Sequence, residues 1–222
     1  MGFRLVPVAV LIPTFNRATR IADVTTNVLE STEHANVYFV CEPDDEATIE
    51  AVTFTVGANL IINERKRNYA GAINTGVHAT DEPHVFAGAD DLWFHPGWYE
   101  AASDLMRYPI KVVGTNDLHN PDVLAGSHAT HYLVDRTYAT AGVIDAPGQM
   151  LCEKYEHNWC DTEFIATATK RGVYAPCLDA VVEHRHWAWG KATMDGTYDK
   201  GARTEPQDRA LFHERRQLWI TQ

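Results

Sequence analysis

Pro83-His84-Val85-Phe86-Ala87-Gly88-Ala89-Asp90-Asp91-Leu92-Trp93-Phe94-His95-Pro96-Gly97-Trp98 is the stretch whose reading decides the fold. Val85 to Ala87 is a short apolar run closed by Gly88, which reads as a buried strand stopping at two adjacent carboxylates. In open α/β sheets ligands bind outside the carboxyl ends of the strands. Asp90 and Asp91 therefore stand where a phosphate-bearing ligand and its metal are expected. Magnesium and manganese take carboxylate, carbonyl and water oxygens, and commonly bridge one or two carboxylates to substrate phosphates. A plainer reading fits the same residues: an Asx turn in which Asp90 caps a helix beginning near His95, with Pro96 in its first turn.

Outward from this stretch, strands and helices alternate. Val8 to Ile12 is a continuous apolar run ended by Pro13-Thr14, as in a parallel strand buried on both faces, and Asn16 and Arg17 follow at its carboxyl end. Ile21, Val24, Val28 and Leu29 recur at helical spacing. Val37 to Cys41 reads as a second strand ending at Glu42-Pro43-Asp44-Asp45, 47–54 as a short helix, and Asn59 to Ile62 as a third strand. Residues 65–77 read as a loop feeding a helix rich in glycine and alanine, which can dock close to the sheet. Downstream the pattern predicts a helix over 98–108, a strand over 110–114, a polar loop over 116–131 and a strand over 131–136 followed by a short helix. Cys160-Asp161-Thr162-Glu163 leads into a helix through Arg171 that stops at Gly172, and strand pieces follow at 173–176 and 180–182. The remainder is polar and Gly-rich until a final helix from about 205 to 219. Such alternation with short connections implies a single α/β domain with a Rossmann-like, mostly parallel sheet flanked by helices.

Composition narrows the function classes. A chain of 222 residues can bury a full core as one domain. A net charge of -11 argues against a general electrostatic grip on nucleic acid, which needs clustered Lys and Arg. Arg65-Lys66-Arg67 is the densest basic run, and a solvated face accounts for it. Cys41, Cys152, Cys160 and Cys177 contain no C-x-x-C pair, so buried free thiols are expected. The apolar opening Leu5 to Ile12 is too short and too interrupted by Pro7 for a signal peptide or membrane span, and a cytoplasmic location is expected.

Several segments, in this order, resemble the family 2 glycosyltransferases, which have the GT-A fold. Val10 to Arg17 is similar to that family's first strand and nucleotide loop, and Asn68 to Gly76 to its Asn/Gly-rich helix start. Phe86 to Asp91 is similar to its D-x-D-D strand end. Tyr132 to Gly142 resembles the acceptor-side strand and helix, Cys160-Asp161-Thr162-Glu163-Phe164 the Glu-Asp catalytic motif, and Ala180 to His184 the histidine-terminated strand. Each match is weak alone; their order over about 8–187 is specific. Two positions depart: Gly88 stands where the first aspartate of D-x-D would be, and Cys160 replaces the glutamate of the Glu-Asp pair.

The resemblance implies a metal-dependent transfer of a sugar from a UDP- or GDP-sugar to an acceptor hydroxyl, with a nucleotide-sugar half over about 1–115 and an acceptor half over about 116–190; it fades after Trp187, and composition alone assigns 191–222 as a polar C-terminal segment and helix packed on the same domain. Asp90, with Asp91, is expected to carry Mn2+ or Mg2+, with His184 as a further ligand and His186 as its competitor. Asp161 is expected to be the base of an inverting displacement, a role that can coexist with capping its helix. Pro13, Thr14, Asn16, Arg17 and Ala89 are expected at the nucleotide, Glu42 or Asp44 at the base or ribose, and Arg67 or Asn68 at the diphosphate or base ring. Trp187 and Trp189 can stack on a sugar face or belong to the core. A catalytically inactive nucleotide-sugar binding protein and a nucleotidyltransferase are the competing readings. The acceptor, the sugar and the oligomeric state are not legible in the sequence; the small chain favours a soluble acceptor such as a protein, a nucleic-acid base or a small glycan.

Overall fold

The computed structural model describes residues 5–220. Its strands form one eight-stranded sheet in the order β3-β2-β1-β4-β7-β6-β8-β5. These are β1 (Val8–Thr14), β2 (Ala35–Cys41), β3 (Ala58–Ile62), β4 (His84–Ala87), β5 (Leu92–Phe94), β6 (Val112–Asn116), β7 (Tyr132–Asp135) and β8 (Tyr174–His184). β1 lies parallel to β2 and β4, β2 to β3, and β6 to β8. β7 runs antiparallel to β4 and β6, and β5 antiparallel to β8.

The helices are α1 (Ile21–Ser31), α2 (Glu46–Phe54), α3 (Tyr69–Ala79), α4 (Trp98–Leu105), α5 (Pro121–Leu124), α6 (Arg136–Ala139), α7 (Cys160–Lys170), α8 (Gly196–Arg215) and α9 (Gln217–Ile220). Alternation along β1 sorts the core into two layers. Val8, Val10 and Ile12 join residues of α1, α2 and α4, whereas Ala9 and Leu11 join those of α3, α6 and α7. All five are fully buried, and each large one contributes about 1.5–3 kcal/mol relative to exposure. Phe86, Phe94 and Trp98 meet edge to face with centroids 4.8 to 5.4 Å apart, which seats α4 beside the end of β4.

Three features depart from the sequence expectation, and one alternative falls. Leu92–Phe94, expected as part of the turn after the acidic pair, is a strand, pinned where Asn27 accepts from the Phe94 amide at 2.7 Å and donates to its carbonyl at 3.0 Å. The α4 helix begins at Trp98, as the pattern over 98–108 predicts, and its capping position is Gly97, so the alternative in which Asp90 caps a helix from near His95 does not hold. The two expected strand pieces after Gly172 are one long β8, interrupted in its pairing with β6 by a register shift next to Thr115. The last long helix begins at Gly196 rather than near 205, capped by Asp195, and runs through Pro206. Its polar, Gly-containing sequence has little intrinsic helical preference, and tertiary contacts supply what propensity does not. Buried Asp208 accepts from the amides of Glu156, His157 and Asn158 at 2.8 to 2.9 Å, and Arg215 binds both Glu163 and Asp145. All four cysteines are free and buried.

The start of α3 is a close backbone approach. A Cβ on Gly71 would lie 2.1 Å from the Lys66 carbonyl oxygen, while the Gly71 amide donates to the capping Asn68 side chain at 2.7 Å. Gly71→Ala is therefore expected to cost about 2 kcal/mol or more in urea unfolding. Gly196→Ala, with open space at its Cβ, is expected to stay within about 0.5 kcal/mol.

Candidate active site

The carboxyl end of β1 opens the site. Asn16 adopts a left-handed conformation with φ 56°, which turns its amide onto Asp45 at 2.6 Å, the residue that also caps α2. Such a conformation in a non-glycine residue is strained and recurs at ligand-binding turns. Arg17, next in the chain, points inward and is 8% exposed. Its guanidinium ion-pairs with Asp90, three residues beyond β4, takes Asp195, the cap of α8, at 2.8 to 3.0 Å, and lies 4.4 Å from the Tyr198 ring centre. Burial disfavours a charged guanidinium, but Asp90, Tyr198 and Asp195 hold Arg17 charged above its ordinary range. Thr14 donates to Asp90 at 2.8 Å, and Arg20 reaches it at 3.3 Å.

Asp91 faces a different set of groups. The antiparallel pairing of β5 with β8 places Leu92 opposite His184, so the residue before β5 meets the end of β8. His184 Nε2 lies 3.4 Å from Asp91, and Tyr198 donates its hydroxyl to Asp91 at 2.8 Å. Burial works against the charge on Asp91, yet hydrogen bonds from His184 and Tyr198 keep its pKa below the usual carboxylate range. His186 lowers to about 4 through burial and the neighbouring His184. One ligand atom from each of Asp91, His184 and His186 lies within 4.8 Å of the others, a grouping that could hold a metal ion. Asp90 is not in it, its oxygens being taken up by Thr14 and the arginines. Gly88 offers no carboxylate: its amide donates to the Leu11 carbonyl at 2.9 Å, and a Cβ there would lie 3.0 Å from that oxygen.

Asp161 sits in the first turn of α7, whose capping position is Trp159 in a left-handed conformation rather than Asp161 itself. Its Oδ1 accepts from the Thr162 amide at 2.8 Å, and Oδ2 lies 3.5 Å from His128 Nε2. Burial would raise the Asp161 pKa, but His128 lowers it below the ordinary value. Cys160 is buried in the core beside Cys152, so the departure from the family motif is filled by packing.

These groups line one cavity of about 870 Å³. Pro13, Thr14, Asn16, Arg17, Glu42, Arg67, Asn68, Ala89, Asp90, Asp91, Asp161, His184 and His186 all border it. Asp44 does not; it holds Arg67 through two hydrogen bonds of 2.7 and 3.0 Å. Glu42 also meets Arg67, at 3.2 Å. Asn68 borders the cavity while capping α3 and donating to the Glu153 and Tyr155 carbonyls. Arg65 and Lys66 turn away onto Glu153 and Glu156. Trp189 lines the cavity, whereas Trp187 does not. The sequence reading did not single out Arg20, His128, His131, Asp195 or Tyr198. The last two belong to a segment read as polar filler, although Asp195 ahead of a Gly-Thr-Tyr-Asp turn is a helix-start signal. His131 and Tyr69 present buried polar atoms without a hydrogen-bond partner among the described residues, and both line the cavity.

Sheet order and cavity together define a mixed α/β domain of the GT-A type. The profile described as Glycosyl transferase family 2 matches residues 9–173, and the chain belongs to that family. Among curated proteins, none matches the chain in sequence. Among solved structures it is similar to glucosyl-3-phosphoglycerate synthase from Mycobacterium tuberculosis in complex with Mn2+, UDP and glucosyl-3-phosphoglycerate: 12% identity, TM-score 0.67, covering 94% of this chain and 79% of that one. A second complex of that synthase, with Mn2+, UDP-glucose and phosphoglyceric acid, has 13% identity and TM-score 0.61 over 82% of this chain and 72% of that one. Mannosyltransferase PcManGT from Pyrobaculum calidifontis, in complex with GDP-Man and Mn2+, has 17% identity and TM-score 0.60 over 82% of this chain. The chain spans 59% of the length of that mannosyltransferase. No described helix is long and apolar enough to cross a membrane.

The His128–Asp161 contact makes stability depend on pH. Burial disfavours a charge on His128, but Asp161 outweighs it and raises the pKa above the ordinary 6.5. The stabilisation is complete below that value and is lost as pH climbs through the raised one. The stability advantage of the wild type over His128→Gln in urea unfolding is therefore expected to be larger at about pH 5.5 than at about pH 8.5.

Proposed function

We propose that this protein is a metal-dependent glycosyltransferase that moves a sugar from a UDP- or GDP-sugar to an acceptor hydroxyl, with inversion. The observation that carries this is the convergence on one cavity of the Asp91–His184–His186 group, two arginines and a separate carboxylate, Asp161. Family membership and relatives crystallised with nucleotide sugars and Mn2+ support the same reading.

Asp91, His184 and His186 would hold the ion. One carboxylate and two imidazoles suit Mn2+ better than Mg2+, which favours all-oxygen surroundings. When bound, such an ion supplies Lewis-acid stabilisation of charge on a departing diphosphate. Asp90 has a different task in this reading: it fixes Arg17 at the mouth of β1, where Arg17 and Arg67 are the cations that orient a diphosphate. Glu42, with Asn16 and Asn68, faces the nucleoside, and Asp44 steadies Arg67. Asp161 takes the acceptor proton as the anomeric carbon is attacked from the face opposite the diphosphate.

Incubation with UDP-glucose or GDP-mannose and Mn2+, with nucleotide release as readout, tests the proposal. Slow metal-dependent release of one nucleotide is expected, abolished by a chelator and lowered about 100-fold or more in Asp91→Ala. Asp161→Asn is expected to lower turnover by about 10²–10⁴ while nucleotide affinity is kept. Release that is indifferent to metal and to Asp91 would contradict the assignment.

A further inference from the structure

The cavity lining has parts of different chemistry. Among the described residues that line it, the arginine and lysine side chains are Arg17, Arg67 and Lys200. All three gather on the nucleotide side: Arg17 on Asp90 and Asp195, Arg67 on Glu42 and Asp44, and Lys200 on the Arg67 carbonyl at 3.4 Å. Another part of the lining comes from the loop between β6 and β7, the start of α7 and the 3-10 turn Trp187–Trp189. It presents Asn120, His128, Thr130, Asp161 and Trp189. The cations nearest in sequence, Arg185 and Lys191, both bind Glu183 at 3.1 Å and do not line the cavity.

Trp189 is 38% exposed. Its indole stacks on His119 with centroids 6.0 Å apart and planes at 28°, and His119 is itself 3.4 Å from Glu183. The Ala188 amide donates to His186 at 3.2 Å, and Gly190 ends the turn in a left-handed conformation with φ 69°. Nearby, the Asn120 side-chain oxygen is taken by the Asp122 amide at 3.0 Å, which leaves its NH2 as a donor. Thr130 donates to Asp117 at 3.1 Å and keeps its acceptor capacity. An aromatic plane flanked by the uncharged side chains of Asn120 and Thr130 matches a ring with one apolar face and a rim of hydroxyls. It suits a phosphate or carboxylate less well: those call for a free cation, and His128, the group here whose pKa is raised, is already paired with Asp161 at 3.5 Å.

We propose that the acceptor is an uncharged glycoside whose sugar ring rests on Trp189. This deepens the glycosyltransferase reading and depends on it. The acceptor hydroxyl oxygen forms the new bond to the anomeric carbon of the donor. The bond from that carbon to the diphosphate breaks, its electron pair leaves on the diphosphate, and the hydroxyl proton passes to Asp161.

The test measures nucleotide release from UDP-glucose and GDP-mannose with Mn2+, in water alone, with a panel of uncharged methyl glycosides and disaccharides, and with phosphoglyceric acid. At least one uncharged glycoside is expected to raise release about tenfold over water. Trp189→Ala is expected to raise the KM for that glycoside about tenfold with a smaller change in kcat, and Trp189→Phe to restore most of it. Stimulation confined to phosphoglyceric acid overturns the proposal. So does an unchanged glycoside KM in Trp189→Ala, and so does water-driven release that no uncharged glycoside increases. Absence of release under every condition overturns the glycosyltransferase reading, and this proposal with it.

Discussion

A guanidinium buried at the end of a strand cannot be left without partners, and the neighbourhood of Arg17 is arranged around that constraint. Asp90 comes to it from just beyond β4 and Asp195 from the cap of α8, 178 residues away in sequence. Tyr198, one turn into α8, lays its ring beside the guanidinium and sends its hydroxyl to Asp91. Three distant parts of the chain are thereby fixed to one another at the mouth of the sheet. Breaking such a pair from one side leaves an uncompensated buried charge, with a cost of roughly 3–5 kcal/mol.

The same constraint divides two adjacent carboxylates between two sets of partners. Asp90 is neutralised by protein cations, so its oxygens are occupied. Asp91, facing the other way, meets His184 and Tyr198 and retains its negative charge beside a second histidine. Topology makes this division possible, because the short β5 returns the chain onto β8 directly after the acidic pair. On the far side, Asp208 gathers the 156–158 amides and Arg215 clamps Glu163, which ties α8 to the loop that leads into Asp161. The polar C-terminal helix is thus a wall of the cavity.

Much of the nucleotide-side architecture was legible in the sequence. Val8–Ile12, Val37–Cys41 and Val85–Ala87 are apolar runs ending in polar residues, and the structure makes each a parallel strand whose end faces the cavity or its rim. The strands expected over 110–114 and 131–136 fall within about two residues of β6 and β7, whereas Leu92–Phe94 owes its extended form to Asn27 and β8, not to any local pattern. The C-terminal helix was seen too short for a related reason. Gly196, Gly201 and Pro206 weaken its local signal, and the bonds that hold it span about 50 residues or more in sequence. Within the site, chemistry could be read by residue type, but the partition between Asp90 and Asp91 depends on Arg17 and Tyr198, contacts that spacing does not encode. His128 and His131 lie in a stretch whose composition reads only as a polar loop.

The measurement closest to the central claim is isothermal titration of UDP and GDP into the wild type and Asp91→Ala, each with and without Mn2+. The account predicts tight binding of one nucleotide by the wild type that needs Mn2+ and is lost in Asp91→Ala. Failure of either nucleotide to bind under any condition, or binding indifferent to both the metal and Asp91, would contradict it.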